Sequence, residues 1–204
     1  LLSAARELGV SSRVSHVEVR QRHEPPSDLP VDLSRVGVEL SLPDDADTLW
    51  DDFRATIRNQ VRKATKSGLQ VTIESDPHSA VADAFYPIYS ENTRDLGSPM
   101  HSVRFFHEVT NRFPEAVHVA IVRLGNDPVG AGFALRWRDR LMVPWASSLR
   151  RYFSMCPNMI LYWGLMCLAI EQGCRLFDFG RSPKDSGTFR FKMQWGAEAI
   201  PLYY

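Results

Sequence analysis

Cysteine is scarce in this chain. The three cysteines, Cys156, Cys167 and Cys174, are odd in number and form no C-x-x-C pair, which argues against a disulfide framework or a cysteine-held zinc ion. An excess of one charge is also missing: Lys and Arg total 24, Asp and Glu total 24, and the formal net charge is zero. That balance argues against a protein that grips nucleic acid by bulk charge, while leaving room for a local basic face. No apolar run approaches the roughly 18–20 residues of a membrane span. The six histidines show no metal-ligand spacing, and the G-x-S-x-G, H-E-x-x-H and G-x-x-x-x-G-K-[ST] motifs are all absent. Hydrolase, zinc-protease and P-loop chemistries therefore have no positive support, and no metal is expected. What is present suffices for a core: 204 residues, 44% of them hydrophobic, with a mean hydropathy of −0.23. One ordinary domain, or one domain with a fragment of another, is the expectation, in a cytoplasmic, reducing compartment. The chain opens on Leu1-Leu2-Ser3-Ala4-Ala5, with neither Met nor a signal-peptide pattern. It reads as a piece of a longer protein entered within a helix.

Residues 1–9 read as the end of that helix, with Gly9 as its stop, and Val14 to Arg20 alternate as a strand. Residues 21–33 carry three prolines and no periodicity, and are the best candidate boundary. Val36, Val38, Leu40 and Leu42 alternate as a second strand. Leu49, Trp50, Phe53, Ile57, Val61 and Ala64 fall at helical spacings and predict one long helix over 47–67, stopped by Gly68. A strand over 69–73 follows, then a helix opened by Asp76-Pro77 and running to Asp95, then a helix over 102–112 capped by Ser102. Three strands are expected at 116–124, 128–137 and 140–148, turning at Asn126-Asp127 and Arg138-Asp139. An apolar helix over 157–172 ends at Gly173. A short buried strand at 176–179, a helical turn at 188–194 and a closing strand at 199–204 complete the chain. This order predicts an α+β fold, a mixed central sheet flanked by helices, and it resembles the GNAT-type acyltransferase superfamily.

Four stretches carry candidate chemistry. Arg54, Arg58, Arg62 and Lys66 recur every fourth residue, with Lys63 beside them and no acid between 54 and 66. Like charges at this spacing repel by about 0.2–0.5 kcal/mol per pair. One explanation is the helix dipole, since Asp44, Asp45, Asp47, Asp51 and Asp52 crowd the other end. The other is a groove for substrate phosphates. In Phe177-Asp178-Phe179-Gly180-Arg181-Ser182 a buried strand runs into glycine and a cation, with Lys184 close behind; this is either an ordinary turn or a ligand loop at a strand end. In Phe189-Arg190-Phe191-Lys192-Met193-Gln194-Trp195-Gly196, Lys192 is either a surface lysine or a cation fixed beside aromatic rings for an oxyanion or phosphate. Asp95 to Ser102, with His101, is a helix connection or a substrate-facing loop.

The run FDFGRSPKDSGTFRFKMQWGAEAIPLYY, residues 177–204, resembles the end of FemAB-like proteins, and more closely the FemAB-related group associated with the PEP-CTERM/exosortase system of exopolysaccharide-producing bacteria. RNQVRKATKSGLQV (58–71), DLGSPMHSVRFFHEVTNRF (95–113) and PNMILYWGLMCLAIEQGC (157–174) agree with that group, so the resemblance covers most of 34–204. It implies two GNAT-like domains in tandem, residues 1–26 being the remnant of the first with its linker and 27–204 the second, FemAB-type domain. It implies transfer of an amino acid from aminoacyl-tRNA to an amine on a peptidoglycan-type or other envelope precursor. It also implies a catalytic Phe-Lys pair, here Phe191 and Lys192, and a basic region near the cleft, here Arg58, Arg62 and Lys63.

Two features depart from the pattern. There is no room for the helical hairpin arm of some Fem transferases. The glycine-rich pyrophosphate loop of acetyl-CoA-dependent relatives is replaced by Leu149 to Asn158, where only the side chains of Arg150 and Arg151 offer phosphate contacts. The donor thus stays open between aminoacyl-tRNA and acyl-CoA. The expected site comprises Lys192, Phe191 and Asp178 for catalysis, no general base being identifiable and Asp178 and Asp95 being only candidates for it, with Arg181, Ser182, Lys184, Arg58, Arg62, Lys63, Arg150, Arg151 and Trp195 for an anionic substrate. A non-catalytic module of an export system and a plain acetyl-CoA N-acetyltransferase are the alternatives.

Overall fold

The computed structural model describes residues 2–26 and 29–204. Leu1, in the expected first-domain remnant, and Ser27 and Asp28, at the start of the expected second domain, lie outside them. Helix α1 spans Leu2–Ser11. It runs through Gly9 because the left-handed turn that ends the segment falls at Arg13, φ 52°. Residues 14–20 form no strand. Val14 and Val17 are exposed, and among the described residues no strand pairs with this segment before Gln21 bridges Tyr203.

Strand β1 is Arg35–Ser41. The expected long helix divides into α2, Ala46–Asp52, and α3, Ala55–Lys66. Asp45 caps α2 by accepting the Thr48 N–H at 2.8 Å. Between the two helices Phe53 and Arg54 are extended, with ψ of 142° and 146°. This turn drops Phe53 between Trp163 and Trp195, with ring centroids at 5.9 and 5.2 Å. The helical spacing of the apolar residues continued through the break, so periodicity could not reveal it. After Gly68 (φ 86°) come β2, Leu69–Ile73, then α4, Pro77–Ala80, a π-helical turn over Val81–Phe85, α5, Tyr86–Asp95, and α6, Val103–Arg112. The wide turn precedes Pro87, which has no N–H to return to Asp83.

The meander is β3, Val117–Leu124, β4, Asp127–Trp137, and β5, Arg140–Ser148. Its second turn is Arg138-Asp139 as expected. Its first is Gly125-Asn126, one residue early, because Leu124 pairs Asp127 and Gly125 takes φ 60°. A 3₁₀ helix over Arg150–Met155 leads into α7, Pro157–Glu171, which Gly173 closes at φ 71°. Then follow β6, Leu176–Pro183, α8, Gly187–Met193, capped by Ser186, and β7, Glu198–Pro201. Strand β6 outruns its expected end at Phe179.

The seven strands form one mixed sheet in the order β2-β3-β4-β5-β6-β1-β7, with β5 and β6 parallel. Helices cover both faces, as an α+β sheet with two apolar faces requires. One core gathers α2, α3 and α7 against the sheet, and the other gathers α4 through α6 against β3 and β4. Helix α7 approaches β2 closely at Gly164, where an added Cβ would lie 2.8 Å from Val71 Cγ1.

Candidate active site

Strands β5 and β6 part where both are irregular. They pair at Arg140–Leu176, Leu141–Phe177 and Met142–Asp178 and then separate. Against β4, the register of β5 slips between Met142 and Trp145, so that an extra residue is absorbed at Val143-Pro144. Proline brings no N–H to a ladder, which favours the separation. Against β1, the register of β6 slips between Asp178 and Arg181, an extra residue at Phe179-Gly180. Gly180 has φ 71°, the left-handed conformation that a bulge of this kind requires. Two bulges thus re-aim the main chain at one point of the sheet.

Lys192, on α8, reaches this point. Only 9% of it is exposed. Its Nζ donates to the carbonyls of Arg181 at 3.1 Å and Gly180 at 3.3 Å. An ammonium has three donors, and the third has no partner among the described residues. Burial pulls the Lys192 ammonium down to about 8, and the charge of Asp178 opposes that fall. Phe191 precedes it and packs on Tyr162 and Trp195, with centroids at 5.3 and 6.4 Å. Trp195 and Ser182 are each 1% exposed, and neither Trp195 Nε1 nor Ser182 Oγ has a hydrogen-bond partner among the described residues. Buried polar atoms left unpaired are costly unless something completes them. The side chain of Arg181 is exposed, while its carbonyl serves Lys192.

Asp178 is 3% exposed and both of its oxygens are engaged. Oδ1 accepts the Gly180 N–H at 2.7 Å, and Oδ2 accepts from Arg140 at 2.8 Å and Arg22 at 3.2 Å. A carboxylate so committed is a fixture of the bulge rather than a free base. Glu39, across from it on β1, pairs with the same two guanidiniums. Burial pushes the Glu39 carboxyl up, but the hydrogen bonds and charges of Arg140 and Arg22 outweigh it and hold the group below its ordinary value. Arg22, Glu39 and Arg140 escaped sequence reasoning. Strand alternation set Glu39 on the opposite face from Val38, but nothing local paired it with residues 17 and 101 positions away.

Other expected contacts are spent elsewhere. Arg58 caps α2, donating to the carbonyls of Asp51 at 2.9 Å and Trp50 at 3.4 Å. Arg62 lies over the Trp50 ring at 5.4 Å, on the rim of a groove of about 430 Å³ that Trp163 and Lys66 also line. Lys63, Lys184 and Arg150 are exposed, and Arg151 is paired with Glu91 at 2.7 Å. Asp95 and His101 are exposed at the far end of α5, His101 stacked on Phe105 at 4.4 Å. A wider hollow of about 1220 Å³, between α1, the proline-rich segment and Tyr203-Tyr204, contains none of the expected site residues. No described helix is long and apolar enough to cross a membrane.

Residues 51–193 match the family model described as acetyltransferase (GNAT) domain. No curated protein matches the chain. Among solved structures, FemX is 15% identical with a TM-score of 0.71, covering 99% of this chain and 74% of its own. A DUF2156 domain from Agrobacterium fabrum, named as the C-terminal domain of a lysylphosphatidylglycerol synthetase, is 11% identical with a TM-score of 0.69, covering 100% and 71%. L-PGS from Bacillus licheniformis is 13% identical with a TM-score of 0.63, covering 100% and 70%. At these identities the likeness is one of fold.

Proposed function

The chain belongs to the acetyltransferase (GNAT) domain family, and from that membership we propose that it transfers an acyl group, specifically an aminoacyl group, to an amine. The setting of Lys192 carries this reading. A buried ammonium, held on two carbonyls with one donor to spare where β5 and β6 part, is poised for a developing oxyanion. The neutral acceptor amine attacks the acyl carbon. The new C–N bond forms, the carbonyl oxygen becomes an oxyanion facing Lys192, the bond to the leaving oxygen or sulfur breaks, and the proton of the amine ends on that leaving group. Positioning of the two reactants supplies the rest of the rate. Phe191 and Trp195 wall the lysine.

The segment before α7 favours a donor other than acyl-CoA. It forms a 3₁₀ helix, its Cys156 N–H bonds to Phe153 and the Met159 N–H to Cys156, and Pro157 has no N–H. Little free backbone remains to cradle a pyrophosphate. The fold shared with FemX and with proteins named for lysylphosphatidylglycerol synthesis supports an aminoacyl donor. The FemAB-like resemblance supports an anionic envelope or polysaccharide precursor as acceptor, for which Arg181, Lys184, Arg62 and Lys63 are the exposed cations.

Single-turnover transfer to hydroxylamine as a generic amine, from alanyl-tRNA and from acetyl-CoA in parallel, tests the proposal. Lys192→Ala should lower the rate by about 10²–10³-fold, with circular dichroism unchanged. An unaltered rate in the folded variant would remove Lys192 from the mechanism.

A further inference from the structure

Asp178 and Glu39 face each other across paired strands, 3% and 8% exposed. Two carboxylates so placed repel unless cations neutralise them. Arg140, from the start of β5, bonds to both, at 2.8 Å to Asp178 and 2.5 Å to Glu39. It balances one charge. The second cation is Arg22, which comes from the irregular N-terminal segment and also bonds to both carboxylates. The main chain at Gln21 is tied down by paired bonds with Tyr203, 2.9 Å in each direction. With Arg22 seated the cluster is neutral. Asp178 Oδ1 is then free to hold the Gly180 N–H, and the Gly180 bulge carries both carbonyls on which Lys192 rests.

We infer that Arg22 is a positioning residue of the site: by neutralising Glu39 and Asp178 together with Arg140, it fixes the Gly180 bulge and hence the seat of the Lys192 ammonium. Seating of the N-terminal segment and readiness of the site are thereby one event. The inference rests on Lys192 being the working cation, but its test does not. Asp178 is the charged side chain that the ammonium senses, with Glu39, Arg22 and Arg140 standing behind it.

Trace acetylation with acetic anhydride from pH 6 to 11, read by peptide mass spectrometry, gives the titration midpoint of Lys192 without donor or acceptor. Lys63, Lys66 and Lys184 serve as exposed controls. Arg22→Gln leaves the cluster with an excess negative charge and loosens the lysine toward water. Both effects raise the midpoint. A rise of one pH unit lowers the neutral fraction at pH 8 about fivefold. Asp178→Asn keeps an acceptor for the Gly180 N–H but removes the charge, so the midpoint should fall. Arg22→Lys, which retains the charge without the fork, should lie between Arg22→Gln and the parent protein. A parent-like midpoint in folded Arg22→Gln would overturn the inference, as would shifts of the same sign in Arg22→Gln and Asp178→Asn. Should Arg22→Gln not fold, a parent-like midpoint in Arg22→Lys overturns it. Transfer rates of Lys192→Ala bear on the proposed function alone, so the two can fail separately.

Discussion

Replacing Lys192 by methionine should slow transfer by about 10²–10³-fold and stabilise the fold at neutral pH. Desolvation lowers the ammonium from 10.5 to about 8, and a fall of that size corresponds to about 3 kcal/mol of disfavour for the charged form. Methionine escapes that cost but forfeits the bonds to Gly180 and Arg181, at about 1 kcal/mol each. A net gain of about 1 kcal/mol at pH 7 follows. The pH dependence is the sharper signature. Between about 8 and 10.5 the unfolded chain holds the lysine proton and the native chain does not, so the stability of the parent protein rises with pH. From pH 7 to pH 10 it should gain about 2 kcal/mol on the methionine variant. Half-buried Cys167 and buried Tyr162, both pushed up by desolvation, drive stability the other way at alkaline pH. They are common to both proteins and cancel in the difference. Urea unfolding of the pair at pH 7, 8, 9 and 10 measures it. A difference that stays flat with pH would refute a buried, charge-disfavouring seat for Lys192.

Gly180→Ala should cost about 1–2 kcal/mol in urea unfolding, because an L-residue resists φ 71°; the new Cβ itself would sit 3.7 Å from the Val143 carbonyl, an ordinary contact. Gly164→Val should cost about 1–3 kcal/mol, since Val71 Cγ1 and Cγ2 would already stand 2.8 and 3.1 Å from the added Cβ; an unchanged midpoint would mean that α7 and β2 part easily. Acetyl-CoA at millimolar concentration should leave the melting temperature unmoved, whereas a ligand at 100 times its Kd stabilises by about 2.7 kcal/mol; a shift on that scale would restore acyl-CoA as donor.

Where a helix or strand has one apolar stripe and a glycine beyond it, the element could be read from the chain. Helix α3 follows from such a pattern, and Gly68 and Gly173 take the left-handed conformations expected of stops; helix α7 and the meander were legible instead as unbroken apolar runs bounded by turn residues. Periodicity misled where an apolar spacing outlived the helix, at Phe53-Arg54, and where alternation had no partner strand, at 14–20. The run Asp178 to Ser182 was singled out by its glycine and cation, and Lys192 by its aromatic neighbours together with the FemAB-like resemblance. The bulges at Val143-Pro144 and Phe179-Gly180 were not, since a bulge is a relation between two strands. Arg22 and Arg140 remained hidden for the same reason. A guanidinium in an irregular segment says nothing about a carboxylate 156 residues later until the sheet brings them together.

The pH dependence of single-turnover transfer bears most directly on the working lysine. With the ammonium at about 8, the rate should fall with a single-proton slope as the pH rises through that value. Lys192→Arg, which stays charged throughout, should lose that falling limb even if its rate is lower. The same limb in both proteins, or none in the parent, would contradict a cationic role for Lys192.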